Sequence, residues 1–405
     1  WILVILSAFI LLAGSLRGGI TALPPIIDVV QRELGLSAAQ AGLVTSIPVF
    51  CFGFFTPLTS IVLRHFALNQ AVSLGLAIVI AGAIVRSLGF SSTLFLGTFL
   101  IGLGTTAGNL VITMLISRDF RHRAGIMTAI YSTMIDVMIA ASTAFTFPLV
   151  AYIGWQGAAG VWGVGSALLA LVACLIVYPL KHPGIRPFLA SKAGWKVRSD
   201  DALVTSEAAT ASEIYRWPIA WLMAFAFAIN TFCYFGVAAW LPRILAEMLK
   251  MNSTDAGFAA SIYHVIGVIA PLTMMAVQRL IRGQTSTILG IVSCAWLLMP
   301  LGMLLLPSWW VVWSACGGLG QGAFFSITFT LVIERTATTA QTRTLSALVQ
   351  SLGYGLGALG PWAIGRMFDL TASWFWPFIV LTVLTGSLVV ISQVVARSTS
   401  RPHSR

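Results

Sequence analysis

Charge is what this sequence has least of: only 9% of its 405 residues are Asp, Glu, Lys or Arg, against about 25% in a soluble domain. A surface so poor in charge cannot face water over most of its area, which excludes a soluble enzyme. Polar stretches are almost as scarce, with 58% of residues hydrophobic and a mean hydropathy of +0.94. The five cysteines (Cys51, Cys174, Cys233, Cys294, Cys316) all fall in apolar segments without a CxxC pair, which argues against a disulfide framework or a thiolate metal site. The five histidines are scattered, no GxxxxGK[ST] loop occurs to bind ATP, and no catalytic constellation is present. No cofactor and no metal are expected.

What the chain has is apolar sequence in lengths that fit a bilayer. A helix needs about 20 apolar residues to cross the hydrocarbon core, and its backbone must satisfy its own polar groups there. Such runs predict spans at 3–27, 38–63, 69–88, 92–116, 124–150 and 155–179, then at 216–247, 254–280, 285–306, 308–333, 343–368 and 373–396. The one long polar segment, 181–215, reads as a linker. It divides the chain into a six-helix bundle over 1–180, a second over 216–397 and a tail over 398–405. Trp1 already stands in an apolar segment, so the chain is expected to continue before it. No cleavable signal is recognised, and the first span would direct insertion.

The net charge of +11 invites a nucleic-acid reading, but the basic residues lie in short runs between apolar segments, as in Arg118-Asp119-Phe120-Arg121-His122-Arg123. That is the pattern of cytoplasmic loops. With an even span count and a cytoplasmic N-terminus, 17 of the 23 basic residues fall on the cytoplasmic side. Five, Arg86 among them, fall on the other, and Arg17 is left inside a helix. Without the linker's five and Arg216 just after it the bias is still 11 to 5, so both termini and the linker are expected in the cytoplasm.

The halves resemble each other. Ala41-Gly42-Leu43-Val44-Thr45-Ser46-Ile47 aligns with Ala256-Gly257-Phe258-Ala259-Ala260-Ser261-Ile262, each after a Leu-Pro pair (Leu23-Pro24, Leu241-Pro242). Gly102-Leu103-Gly104 aligns with Gly318-Leu319-Gly320, each ahead of a charged pair (Arg118-Asp119, Glu334-Arg335). The reading is an all-α polytopic membrane protein, twelve transmembrane helices in two pseudo-symmetric six-helix halves. That is the organisation of major-facilitator transporters, whose substrate site lies near the midplane.

Particular stretches carry a closer likeness: Leu16-Arg17-Gly18-Gly19-Ile20-Thr21-Ala22-Leu23-Pro24-Pro25, Ala239-Trp240-Leu241-Pro242, Gly317-Gly318-Leu319-Gly320-Gln321-Gly322-Ala323-Phe324, Gln350-Ser351-Leu352-Gly353-Tyr354-Gly355 and Gly360-Pro361-Trp362. In these the chain resembles the cyanate-transporter and 2-nitroimidazole-transporter branch of the major facilitator superfamily. The resemblance implies a bacterial inner-membrane carrier of small polar or anionic solutes. Two features depart from the superfamily. The loop between spans 2 and 3 offers Leu63-Arg64-His65-Phe66-Ala67 in place of Gly-x-x-x-Asp-Arg-x-Gly-Arg, so its gating Asp is missing. Span 5 keeps only Gly125 and Pro148 of the drug–proton antiporter motif, which weakens a multidrug-efflux reading.

Few ionisable groups lie deep in the spans, where each charge costs about 2.5–3.5 kcal/mol on insertion scales. Arg17 stands eleven residues before Asp28, about 17 Å inside at 1.5 Å per residue. Its planar guanidinium suits a carboxylate-like anion, or else pairs within the bundle. Gly18 and Gly19 beside it thin the helix for a ligand or a neighbouring backbone. Asp136 is the one deep acid, either a proton carrier or the counter-ion of Arg17. His264 could shuttle protons or only satisfy hydrogen bonds. Asn109, Asn230, Tyr234, Gln321, Gln350 and Tyr354 are mid-depth polar groups that could line a cavity or join helices. The candidate substrate-binding set is Arg17, Asn109, Asn230, Tyr234, His264, Gln321 and Gln350, with Asp136 for proton coupling. Trp309-Trp310 and Trp374-Phe375-Trp376 are expected as interfacial anchors.

The function these observations favour is secondary transport of a small anionic or polar solute by alternating access, with or without protons. The competing reading on the same fold is export of a toxic small heterocycle or antimicrobial. A ligand-gated sensor would need an output domain that the linker and tail do not supply. Expected partners are the substrate, protons and the lipid bilayer, with no nucleic acid, and a monomer is the expected state.

Overall fold

The computed structural model describes residues 2–63, 65–120, 124–180, 212–281, 285–336 and 339–398. Residues 181–211 of the expected linker, the tail beyond 398, and the basic residues Arg64, Arg121 and Arg123 lie outside them.

Every regular element among the described residues is a helix. α1 is Ile2–Thr21; α2 is Ala38–Phe50, running through a π turn, Cys51–Phe55, into Thr56–Leu63; α3 is Leu68–Arg86; α4 is Ser91–Asp119. α5 and α6 share the run Ala124–Gly160, divided at Gly154, and α6 continues through a π turn, Val161–Gly165, into Ser166–Val177. α7 is Pro218–Leu249, α8 Ser253–Ile281, α9 Thr285–Leu305 and α10 Trp310–Arg335. α11 is Thr339–Gly357 with Leu359–Thr371, and α12 is Phe375–Arg397.

Among the described residues nine stretches are long and apolar enough to cross a membrane. One of them, Ile130–Val177, has 48 residues, enough for two crossings, and reverses at Gly154. α8 and α11 are helices of spanning length beside those nine, which makes twelve.

The breaks follow from local chemistry. Gly154 takes φ 69, ψ 172, a conformation that residues with a Cβ avoid. α1 stops at Thr21, short of the expected residue 27, because Pro24 and Pro25 have no N–H to continue its ladder. The chain instead makes a short 3-10 turn, Pro24–Ile26, and a separate helix, Ile27–Leu34. That helix ends on Gly35 in the left-handed region, whose N–H returns to the Gln31 carbonyl.

The described chain forms two compact units. The first holds α1, the second part of α2, and α3–α6; the second holds Ser37–Ser46 and α7–α12. The start of α2 joins the second unit because the Asp369 carboxylate of α11 accepts the N–H groups of Ala38 (2.9 Å) and Ala39 (2.7 Å). A carboxylate at a helix N-terminus satisfies orphan donors and complements the helix dipole.

Within the first unit α1 packs on α4, α5 and α6, α3 on α4 and α6, and α2 on α4. Within the second, α7 packs on α10, α11 and α12, α9 on α10 and α12, and α8 on α10. The two neighbour lists agree when shifted by six helices, except that α7 also packs on α8, a contact without an equivalent among the described residues of the first unit. The repeat extends to side chains. In the first unit the Trp155 indole donates to Glu33 Oε2 at 2.6 Å, and in the second Trp374 donates to Glu247 Oε2 at 2.6 Å. Trp374 is therefore no interfacial anchor: it is 5% exposed and stacked on Phe368, whereas Trp309 and Trp376 are exposed. The carboxylate at the end of α7 gives this indole an internal partner, which an anchor at the headgroups would not have.

Candidate substrate-binding residues

In the first unit the chemistry centres on Arg17. Both π turns of this unit come to the stretch of α1 that carries it. Phe52, in the π turn of α2, lies under the guanidinium, whose carbon is 4.7 Å from the ring centroid. Trp162 and Gly163, in the π turn of α6, meet the other side. A Cβ on Gly18 would sit 3.1 Å from the Trp162 carbonyl oxygen, and one on Gly19 3.3 Å from Gly163 Cα. The paired glycines therefore serve a neighbouring backbone. π turns of this kind recur at functional sites because they re-aim side chains within a helix.

Arg17 itself is half-buried, and among the described residues its guanidinium has no hydrogen-bond or ion-pair partner. Asp136, half-buried on α5, is close enough for the Arg17 charge to act on its carboxylate, but the two make no ion-pair contact. α1 and α5 are instead joined by the Thr21 and Ser142 hydroxyls at 2.6 Å. Asn109 on α4 is half-buried and accepts from the Tyr131 hydroxyl of α5 at 2.9 Å, an interhelical bond of the kind that packs spans together.

In the second unit α7, α8 and α10 bring a polar and aromatic group together. The Tyr234 ring of α7 stacks on Tyr263 of α8 (6.3 Å, 24°) and meets His264 edge-on (6.4 Å, 88°). His264 is 7% exposed, with aromatic rings on two sides. Gln321 of α10 reaches Gly267, one turn after His264, where a Cβ would come 2.9 Å from its amide nitrogen. Asn230 is 2% exposed, and its carbonyl oxygen has no partner among the described residues. Gln350 of α11 is half-buried, and one turn on Tyr354 packs on Phe227 and Phe235 of α7.

Arg17 and Asp136 thus share the first unit with Asn109, while Asn230, Tyr234, His264 and Gln321 gather in the second. Three further residues surround these candidates in ways that hydropathy does not signal. Phe52 supplies the ring under Arg17, and Tyr131 holds Asn109. Arg86, counted above among loop charges, is fully buried at the end of α3. It donates to the carbonyls of Gly19 and Ala159, so it belongs to the packing of α1, α3 and α6 and not to a loop. No sequence signal points to these partners: the residue four places after Gly19 is Leu23, which has its own N–H, and Ala159 lies on another helix.

Comparison with known proteins agrees with this architecture. Residues 9–361 match the Major Facilitator Superfamily. The chain is 29% identical to the uncharacterized transporter YycB of Bacillus subtilis (strain 168) over 381 residues, covering 93% of this chain and 89% of that one. It is 28% identical to the 2-nitroimidazole transporter of Escherichia coli (strain K12) over 400 residues, covering 98% and 96%. It is 23% identical to the cyanate transport protein CynX of the same organism over 395 residues, covering 95% of each. Among solved structures, the nucleoside transporter NupG (D323A mutant) shares the fold with a TM-score of 0.76 at 13% identity, covering 96% of this chain and 98% of that one.

Proposed function

This chain belongs to the Major Facilitator Superfamily, and from that premise we propose that it is a secondary active transporter of a small anionic or polar solute, working by alternating access and coupled to protons. It is a multi-pass membrane transporter and not an enzyme. The proposal adds the substrate class, the coupling, a place in the bacterial inner membrane with both termini cytoplasmic, and a role for each site residue. Arg17 recognises the solute's negative or electron-rich end. Asn109, Asn230, Tyr234, His264, Gln321 and Gln350 contribute polar contacts, and Asp136 carries the proton.

One observation carries this reading: a half-buried guanidinium within an apolar span, one turn before α1 ends at Thr21, that no described side chain or carbonyl pairs with. A cation in that position is costly, and such groups mark substrate or ion pathways. One face of it rests on the Phe52 ring, an arrangement that stabilises the cation and leaves its N–H edge for a ligand. The guanidinium fork fits two oxygens in one plane. A carboxylate presents that geometry, and so does a nitro group. Export of a small heterocycle therefore stays as a second reading, favoured by the likeness to a 2-nitroimidazole transporter.

The test is a panel of labelled small anions and azoles, assayed in proteoliposomes with and without a pH gradient. Gradient-dependent movement of an anion supports the proposal. Movement of neutral azoles alone, indifferent to the gradient, would replace it with the export reading. The substitution Lys192→Cys, reactive only from the cytoplasmic side, checks the orientation.

A further inference from the structure

Arg86 is the most deeply buried cation among the described residues. It is 0% exposed, closes α3, and donates through Nη1 to Gly19 O on α1 and through Nη2 to Ala159 O on α6 at 3.3 Å. Its Nε is buried without a partner, and no described carboxylate pairs with it. The fit is close on every side. A Cβ on Gly163 would come 3.5 Å from Nη2, and one on Gly97 2.7 Å from Arg86 Cα.

A buried guanidinium without an acid is destabilising unless something else uses its charge. Its contacts say what that use is. Gly19 lies two residues after Arg17 and in the last turn of α1, where the backbone ladder ends with the Ala22 N–H on the Gly18 carbonyl and the Gly19 carbonyl is the next in line for a donor. Arg86 is the side-chain cap of that helix end, where a cation also complements the helix dipole. The opposite edge of the same turn is tied by Thr21 to Ser142 of α5. The backbone that carries Arg17 is thereby held from α3 and from α5 together.

The second half has no arginine at the matching position; its own helix-end arginine, Arg335, donates instead to Val395 and Ala396 at the end of α12. The offset that aligns Gly102 with Gly318 places Gly302 opposite Arg86, and Gly302 packs against Trp313. The Leu-Pro alignment places Phe235 opposite Arg17. Both of these cations belong to the first half alone, where Asp136 is the one deep acid to set against them. With Asp136 ionised, that trio retains one net positive charge.

We propose that Arg86 is a positioning residue for the Arg17 site, capping α1 at Gly19, and that its uncompensated charge selects a solute with one net negative charge. This rests on the reading of Arg17 as the recognition residue. It takes the substrate class further, to monoanions, and disfavours neutral heterocycles.

The potential at this end of α1 can be measured without knowing the substrate. The reporter is Ile20→Cys, at a half-buried position one turn from Arg17, made in protein whose five native cysteines are replaced by serine or alanine. The rates of modification by an anionic and a cationic methanethiosulfonate then give a charge-preference ratio. The ratio is expected to favour the anionic reagent, to fall tenfold or more in Arg86→Gln, and to stay within threefold in Arg86→Lys. Gln keeps a donor for one carbonyl and loses the charge with the second donor, which Arg86→Lys controls for, since Lys keeps the charge without the fork. An unchanged ratio in Arg86→Gln, an equal fall in Arg86→Lys, or an Ile20→Cys thiol that reacts with neither reagent overturns the proposal.

Should Arg86→Gln fail to fold, the comparison moves to Ala238→Cys in the same cysteine-free parent, Ala238 being the repeat mate of Ile20. There the ratio is expected to be at least tenfold lower than at position 20, and equal ratios overturn the proposal. If the ratio depends on Arg86 while anion affinity ignores Arg17→Lys, the Arg17 reading fails alone.

Discussion

Arg17 and Asp136 stand on neighbouring helices, α1 and α5, near enough to feel each other and not in contact. On the proposed reading that spacing gives each group a separate task. A carboxylate in full contact with a guanidinium would stay ionised and carry nothing, whereas one at a distance can take up and release a proton as the other's charge is neutralised by a bound anion. Asp136→Asn keeps the size of the side chain and removes the proton site. The expected result in proteoliposomes is loss of gradient-driven accumulation with solute exchange retained. Loss of exchange as well would make Asp136 a counter-ion that the folded site requires. The identity of Arg17 and Asp136 as the deep charges was readable from hydropathy alone. Their separation was not, because no residue pattern encodes how far apart two helices hold their side chains. Asn109 shows the same limit, since its partner Tyr131 lies on another helix and carries no sign of the pairing in its own neighbourhood.

Helices announce themselves through length and through the residues that stop them, and here most ends were legible for that reason. The break between spans 5 and 6 falls at Gly154, and α7 begins at Pro218, whose missing N–H costs nothing at a first helical position. The overestimated end of α1 arose because apolar Leu23, Ile26 and Ile27 continue the hydropathy past two prolines that end the helix. Elements held by distant side chains were not legible. The start of α2 depends on Asp369, more than 300 positions away, whose two oxygens take the Ala38 and Ala39 N–H groups. Asp369→Asn leaves one acceptor and brings an NH₂ against the other donor, a loss of about 1–2 kcal/mol by the usual cost of a helix cap. Hydrogen exchange should show it locally: amides of Ala38 and Ala39 exchange about tenfold faster or more, with α9 and α12 unaffected. Unchanged protection at those two amides would mean that the carboxylate does not cap the helix.

The molecule as a whole is a repeat in which the two halves keep most of the same helix neighbours and even the same indole–carboxylate bond, Trp155 with Glu33 and Trp374 with Glu247. What the halves do not share is charge. Arg17, Arg86 and Asp136 belong to the first, while the matching region of the second offers Asn230, Tyr234, His264 and Gln321. On the proposed reading the first half senses the charge of the solute. The central claim is that the sensing group is Arg17, and binding measured on purified, folded Arg17→Lys tests it most directly. Lysine keeps the charge and loses the planar fork, so an anion held by two oxygens should bind tenfold or more weakly, about 1.4 kcal/mol. An affinity within twofold of the parent protein, in Arg17→Lys and Arg17→Gln alike, would contradict the account.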